Sequence, residues 1–219
     1  LQSRVTHDGD CSFQGDLPSN AQRRRLLDAA MSFVRTSQGD VDPSSLGVVD
    51  CHDHLIRVGA GEVYLDADHL LDDVDKAVEE ATYFVKASQA WAGGGTVIDM
   101  CPAACGRSAT KLAEVNSRVD GLQIVVATGF HQEKVYLETR TSWVNQYSVN
   151  QIADLLIADI VEGIDAHDYM GPIVERTPHK AGVIKFASAY GKITAWEHKT
   201  LEAVAIAAKE TGCPINTHT

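Results

Sequence analysis

Short apolar segments that alternate with helical patterns constrain the fold of this chain more than any other feature. Four of these segments occupy residues 46–50, 96–100, 122–128 and 181–186, and a fifth opens at Pro214. A strand that is apolar on both faces is typical of a parallel sheet covered by helices. The alternation therefore predicts an α/β fold, either a closed (β/α)8 barrel or an open doubly wound sheet.

The segments between the strands carry helical periodicity and helix-end signals. Helices are predicted near residues 70–91, 108–118 and 149–162. A further helix has the clearest ends, because Thr194 with Glu197 makes a capping box and Gly212 supplies a left-handed C-cap. No Gly-x-Gly-x-x-Gly follows a predicted strand, which weakens the dinucleotide-binding version of the fold. Five strand–helix units are visible, whereas a (β/α)8 barrel has eight.

The N-terminal residues follow a different pattern. Residues 1–18 mix Gly, Asp, Ser and Pro without periodicity, which indicates an arm or loop. Residues 19–35 predict a helix with one apolar stripe, and a break follows at 39–43. We therefore expect an N-terminal arm and helix in residues 1–45 and an incomplete barrel in residues 46–219.

Composition excludes several classes of protein. The net charge of −11 argues against a nucleic-acid surface, and no apolar run reaches the roughly 18 residues that a membrane span needs. Five scattered cysteines do not suggest a disulfide framework, so a reducing cytoplasm is the expected location. The chain starts at Leu1 without a signal region, which suggests a fragment or a processed product.

A His-x-His pair stands at the end of the first strand. His52 and His54 are two residues apart, so in extended backbone both imidazoles point to one side and can reach one ion. The pair alone is a weak signal, since loop histidines with ordinary hydrogen bonds also occur at this spacing. Its place at the carboxyl end of a barrel strand favours a metal site.

Two further residues at strand ends carry similar chemistry. Lys185 interrupts an apolar strand, although a lysine ammonium is costly to bury. It can extend to solvent, pair with a carboxylate, or take up carbon dioxide as a carbamate, and the residues alone do not choose. His218 ends the fifth strand, and its position beside the other candidates favours a ligand over a satisfied core histidine.

Three separate motifs resemble one family. They are Cys-His-Asp-His-Leu from Cys51, Ala-Gly-Val-Ile-Lys-Phe-Ala from Ala181 with Gly-Lys-Ile-Thr after it, and Asn-Thr-His-Thr from Asn216. In this order and spacing, over about residues 46–219, the chain resembles the phosphotriesterase family of the amidohydrolase superfamily. Asp53 stands where that family often has Glu.

The resemblance implies a (β/α)8 TIM barrel with two divalent metal ions, with zinc expected. His52 and His54 would bind the more buried ion and His218 the more exposed one. Lys185 would be carboxylated, bridge both ions and take part in catalysis. The family also uses a histidine on strand six and an aspartate on strand eight, and this sequence reaches neither.

The implied activity is hydrolysis of an ester, a lactone or a phosphotriester by a metal-bridging hydroxide. Family analogy favours a lactone or a related carboxyl ester as the natural substrate, with organophosphates as a side activity. His131, Phe130 and Tyr136 are the candidate substrate contacts in the loop after the third strand, although ordinary loop roles are equally open. Cys101 and Cys105 are expected to be structural, with a place for Cys101 in the lining of the pocket left open. Relatives of such barrels are often dimers, so a homodimer is an open expectation.

The alternative is a catalytically inactive, truncated barrel that acts as a binding or partner-dependent protein. Five strands alone leave two open sheet edges, which predicts self-association or a partner for a chain of this length. An incomplete sequence of a complete hydrolase is the favoured interpretation, because a barrel cut within strand five would leave its apolar interior in water.

Overall fold

A β-hairpin opens the part of the chain that the structure, a computed structural model, describes, namely residues 32–137 and 143–219. Its two strands, β1 (Val34–Thr36) and β2 (Gly39–Val41), pair antiparallel. The hairpin belongs to the compact unit Phe33–Thr219 together with the sheet that follows it. Residues 33–45 are thus part of the same compact unit as the sheet.

The hairpin corrects one sequence prediction. The helix predicted for residues 19–35 begins outside the described residues, and its predicted end is wrong because it falls in β1. The β-branched side chains in β1 favour extended backbone. Arg35 also pairs with Asp40 across the hairpin at 2.8 Å, and Thr36 Oγ1 donates to the Gly39 carbonyl at 2.8 Å. At the end of the predicted helix, local strand propensity and the tight turn outweigh the helical spacing of the apolar residues.

Five parallel strands form the central sheet. They are β3 (Val48–Asp53), β4 (Gly95–Asp99), β5 (Leu122–Gly129), β6 (Val183–Ala187) and β7 (Ile215–His218). Their order in the sheet is their order in the chain, and every neighbouring pair is parallel. The five predicted strands are confirmed with small shifts at their ends. Sequential parallel order is the arrangement of a (β/α)8 barrel and not of a doubly wound sheet.

Helices connect the strands. They are α1 (Gly61–Leu65), α2 (Val74–Ala92), α3 (Ala109–Arg118), α4 (Glu133–Leu137), α5 (Trp143–Gln146), α6 (Val149–Val161) and α7 (Ala195–Thr211), with short 3-10 turns at Pro43–Ser45 and Ala67–His69. The predicted capping box of α7 is present, because Thr194 and Glu197 exchange side chain–backbone bonds. Gly212 ends α7 at φ 73°.

The sheet curls so strongly that its two edges approach each other. His52 on β3 and His218 on β7 have ring centroids 5.5 Å apart, although a flat sheet would separate the edge strands by about 19 Å. The large core cluster packs between the outer face and the helices. A small inner cluster of Met100, Val125 and Val183 contacts Val34 of the hairpin. The sheet is therefore the curved wall of a half-barrel.

A buried ion network ties the loops to this wall. Arg107, whose side chain is fully buried, pairs with Asp159 at 3.0 Å and Asp168 at 3.2 Å and donates to the Ala127 carbonyl. Asp168 in turn accepts three backbone N–H bonds from the loop between β4 and α3. Tyr169 Oη donates to Asp159 at 2.6 Å. The network joins β5, α6 and two loops through charges that water does not reach.

Replacing Arg107 is expected to destabilise the fold severely. Arg107→Met leaves the buried Asp168 without a counter-charge and leaves Asp159 with Arg176 alone, and removing one partner from a buried pair costs about 3–5 kcal/mol of unfolding free energy. Urea unfolding followed by circular dichroism measures the change. The control is Arg118→Met, which removes exposed ion pairs and should lower the free energy of unfolding far less, because exposed ion pairs contribute little. Equal losses for the two variants would show that the buried network does not stabilise the fold.

Candidate active site at the carboxyl ends of the strands

Four histidine rings meet where the parallel strands end. His52 and His54 come from the end of β3, His131 follows β5, and His218 ends β7. Ring centroids lie 5.7 Å apart for His52–His54, 5.5 Å for His52–His218 and 5.5 Å for His131–His218. Residues that are up to 166 positions apart in sequence thus form one group. The three predicted histidine ligands are brought together, with His131 beside them.

Lys185 extends from β6 on the inner side of the wall. Its side chain is almost fully buried, and Nζ donates to the Met100 carbonyl at 3.0 Å. Burial is the main cause that lowers the pKa of this amine, since the neighbouring thiols and Glu62 act in the opposite direction. Extension into solvent is excluded, and no carboxylate pairs with Lys185 among the described residues. A buried amine with a lowered pKa is the form that can take up carbon dioxide.

Burial favours the neutral, metal-binding form of three of these histidines, namely His52, His54 and His131. Burial lowers the pKa of His54 and of His131 to about 3, and it also lowers the pKa of His52. The His54 Nδ1 atom is buried and has no hydrogen-bond partner among the described residues. An orphaned buried nitrogen in a group of neutral imidazoles fits a metal ion, because an unpaired polar atom is otherwise costly.

Asp99 is a residue that the sequence analysis missed. It ends β4, is fully buried, and accepts backbone N–H bonds from Leu55 at 2.8 Å and Cys101 at 3.1 Å. Burial raises the pKa of this carboxyl to about 6. One potential ligand atom from each of His54, Asp99 and Cys101 lies within 4.8 Å of the others. Its position at a strand end, like that of the histidines, was the available signal.

The structure separates the three predicted substrate contacts. His131 is only 13% exposed in its side chain and lies at the histidine group. Phe130 and Tyr136 are instead buried in an aromatic cluster, where Tyr136 stacks on Trp196 at 4.9 Å and Phe130 meets the same ring at 5.8 Å. Strand alternation turns Phe130 away from His131 and into the core. Phe130 and Tyr136 therefore pack the loop, and only His131 stays a candidate contact.

A charged pair beside His131 was also missed. Arg57 and Glu62 lie in the segment after β3, and Arg57 Nη1 is 3.1 Å from Glu62 Oε2. The other carboxylate oxygen of Glu62 is 3.5 Å from His131 Nε2. The two side chains are 6% and 14% exposed. Nothing in the local pattern around residue 62 signals this contact, because it depends on the loop geometry.

Fold and site together define the class of protein. The described residues form the first five strands of a (β/α)8 barrel, with a group of imidazoles and a buried lysine at the carboxyl edge where such barrels place their active sites. The sequence profile of the phosphotriesterase family matches residues 32–219. The chain belongs to this family.

Individual relatives agree with the family assignment. A phospho-furanose lactonase of Mycoplasmopsis synoviae is 38% identical over 189 residues, covering 85% of this chain and 52% of the relative. The crystal structure of an amidohydrolase from Mycoplasma synoviae superposes with a TM-score of 0.79 at 38% identity, covering 85% of this chain and 52% of that one. The crystal structure of a lactonase from Listeria monocytogenes superposes with a TM-score of 0.74 at 30% identity, covering 86% of this chain and 57% of that one. The chain spans about half the length of these relatives.

None of the helices in residues 32–137 and 143–219 combines the length and the apolar character that crossing a bilayer requires.

Acid is expected to destabilise the metal-free chain through His54. Its pKa is about 3 in the folded chain and 6.5 as a free side chain, so between these values the unfolded chain binds the proton and the folded chain does not. The contribution of His54 to the free energy of unfolding is therefore fully present above pH 6.5. It falls as pH falls, by up to about 1.4 kcal/mol per pH unit. In urea unfolding with a chelator present, His54→Gln should lose the part of this dependence that His54 contributes, while the part from His131, whose pKa is also about 3, remains.

The comparison must be made between variants, because Asp99 has the opposite dependence. The raised pKa of Asp99 stabilises the folded chain below pH 3.8, and this stabilisation is lost as pH rises through about 6. The matched control is His198→Gln, since His198 is solvent-exposed on α7 and its removal should leave the pH profile unchanged. Parallel profiles for wild type and His54→Gln would contradict the prediction.

Proposed function

We propose that this chain is part of a metal-dependent hydrolase that cleaves an ester bond, with a lactone as its substrate and organophosphate esters as a side activity. The observation that carries the proposal is the group of imidazoles around Lys185 at the carboxyl ends of the strands, in which burial lowers the pKa of His52 and His54. Such a donor group is costly to build into a fold unless something binds there. Family membership supports hydrolysis as the chemistry.

The residues fit two divalent ions. His52, His54 and His218 would hold the ions through imidazole nitrogens, and zinc suits this donor set. Lys185 would join them after its neutral amine takes up carbon dioxide and releases a proton, which gives an anion with two oxygens. When bound, two such ions lower the pKa of the water they share and so supply a nucleophile at neutral pH.

The chain's own residues would prepare the substrate. His131 stands beside His218 at the carboxyl edge of the sheet, where a side chain can orient the scissile carbonyl or a phosphoryl oxygen. Met100 supplies a backbone carbonyl that holds Lys185 in line with the histidines. Burial of these groups strengthens each polar contact, because little water competes with it.

Support for a lactone comes from the relatives. One is a phospho-furanose lactonase and another a lactonase, and both match this chain over about 85% of its length. The family as a whole is described by phosphotriester hydrolysis, which uses the same nucleophile. Nothing among the described residues favours an inactive binding protein over this hydrolase. A homodimer stays a prediction.

Metal dependence is tested with the full-length protein that contains this chain. Chelator treatment should abolish lactone hydrolysis, and zinc should restore it. His54→Asn and Lys185→Met should each lower kcat/KM by at least about 100-fold, because removing even the outer partners of a metal site costs 10- to 100-fold. Zinc affinity, measured by competition with a chromophoric chelator, should fall in His54→Asn. The exposed His198→Asn is the control, and activity that survives chelation would reject a metal mechanism.

Substrate preference is tested with a panel of lactones, including phosphorylated ones, against paraoxon. We expect the best lactone to have a kcat/KM at least about 100-fold above that of paraoxon, a gap of roughly 2.7 kcal/mol in transition-state binding. Paraoxon turnover far above every lactone would overturn the lactone assignment and leave the hydrolase intact.

A further inference from the structure

The hydrogen bonds of His131 determine where its ring proton lies. The backbone N–H of Gln132 donates to His131 Nδ1 at 2.7 Å. A ring nitrogen that accepts a hydrogen bond cannot carry the proton, so a neutral imidazole in this position has its proton on Nε2. The tautomer follows from the loop backbone immediately after His131 and not from a side chain that rotates freely.

The second ring nitrogen faces an acceptor. Glu62 Oε1 lies 3.5 Å from His131 Nε2, and an ionised carboxylate can only accept hydrogen bonds. The two contacts on opposite sides of the ring therefore agree on the same tautomer. The Nε2–Oε1 distance exceeds the 2.7–3.2 Å of a well-formed N–H···O bond, so Glu62 attracts the N–H electrostatically and leaves it able to donate to another acceptor.

Arg57 holds the other carboxylate oxygen of Glu62 in place. Arg57 Nη1 is 3.1 Å from Glu62 Oε2, and the Arg57 side chain is only 6% exposed. The Arg57 backbone is anchored by two hydrogen bonds with Leu71, at 2.9 and 3.0 Å. A buried guanidinium is a rigid support for a carboxylate, because separating the pair would leave two unpaired charges.

We propose that Arg57 and Glu62 are positioning residues that hold His131 as the Nε2–H tautomer, so that His131 meets the substrate as a hydrogen-bond donor. This inference rests on the proposed function and names the chemistry of one part of its site. The donor would bind an acceptor oxygen of the substrate, such as a lactone carbonyl or a phosphoryl oxygen. Arg57 and Glu62 act through His131 and do not themselves touch the reacting atoms.

The same tautomer excludes His131 from the metal-ligand set. Its ring lies 5.5 Å from that of His218, so proximity alone would allow it to be a further ligand. A ligand nitrogen needs a free lone pair, but Nδ1 uses its lone pair for the Gln132 N–H and Nε2 carries the proton. The group of four histidines thus divides into three candidate ligands and one donor.

The first experiment reads the tautomer directly. Long-range 15N–1H spectra of the zinc-loaded, 15N-histidine-labelled protein distinguish an Nε2–H ring from an Nδ1–H ring, and His131→Asn assigns the signal. We expect the Nε2–H pattern in wild type and in Glu62→Gln, whose amide oxygen still accepts. Glu62→Ala and Arg57→Met should broaden or mix the pattern. An Nδ1–H or metal-coordinated His131 in wild type would overturn the inference.

The second experiment separates donation from metal binding. Glu62→Ala should raise KM for the best lactone about fivefold with a smaller change in kcat, the loss expected for one weakened hydrogen bond. Glu62→Gln should restore KM, which a merely structural defect would not predict. Zinc affinity should fall at least tenfold in His218→Asn and stay within twofold in His131→Asn. Equal losses of zinc affinity in these two variants would place His131 among the ligands and reject the proposal.

Failure of the inference and failure of the proposed function give different results. Tautomer and zinc affinity are measured without turnover, so an Nε2–H ring in a protein that hydrolyses no ester would count against the hydrolase alone. Normal hydrolysis with unchanged KM in Glu62→Ala would count against the positioning role alone. Circular dichroism and thermal unfolding of each variant identify any that do not fold, and Glu62→Gln then carries the comparison.

Discussion

The buried guanidinium of Arg107 is the interaction on which the geometry of this half-barrel depends. It binds Asp159 on α6, Asp168 in the loop before β6, and the backbone of β5. Asp168 adopts a left-handed φ of 50°, which is unfavourable for a residue with a side chain. Its carboxylate offsets this cost by accepting three backbone N–H groups from the loop after β4. The network thereby positions the loop that follows Asp99 at the site.

Burial connects this architecture to chemistry. The curled sheet shields Lys185 and three of the histidines from water, and desolvation is the first cause of every lowered pKa among them. The same packing that stabilises the sheet thus shifts these imidazoles and the amine toward their neutral forms. In water these groups would be partly protonated near neutral pH, and the amine almost fully so. Fold and ligand chemistry therefore share one physical origin.

Sequence reasoning succeeded where one local signal dominated. The five strands and the capping box at Thr194 and Glu197 were predicted, because apolar runs and cap residues act over a few positions. It failed where distant packing decided the outcome. The end of the predicted helix became β1, and Phe130 and Tyr136 went to the aromatic core. A loop pattern contains no information about which side of a neighbouring strand its side chains will meet.

The sequence by itself determined the parallel α/β order and the residue types at the strand ends, since both follow from periodicity and motif spacing. Only the tertiary structure decided the rest. The curl of the sheet brings His52 to His218, and the loop after β3 brings Glu62 to His131 across 69 positions of sequence. Such contacts depend on strand stagger and loop packing summed over the whole half-barrel. That is why the identity of the donor histidine and its tautomer emerge only in three dimensions.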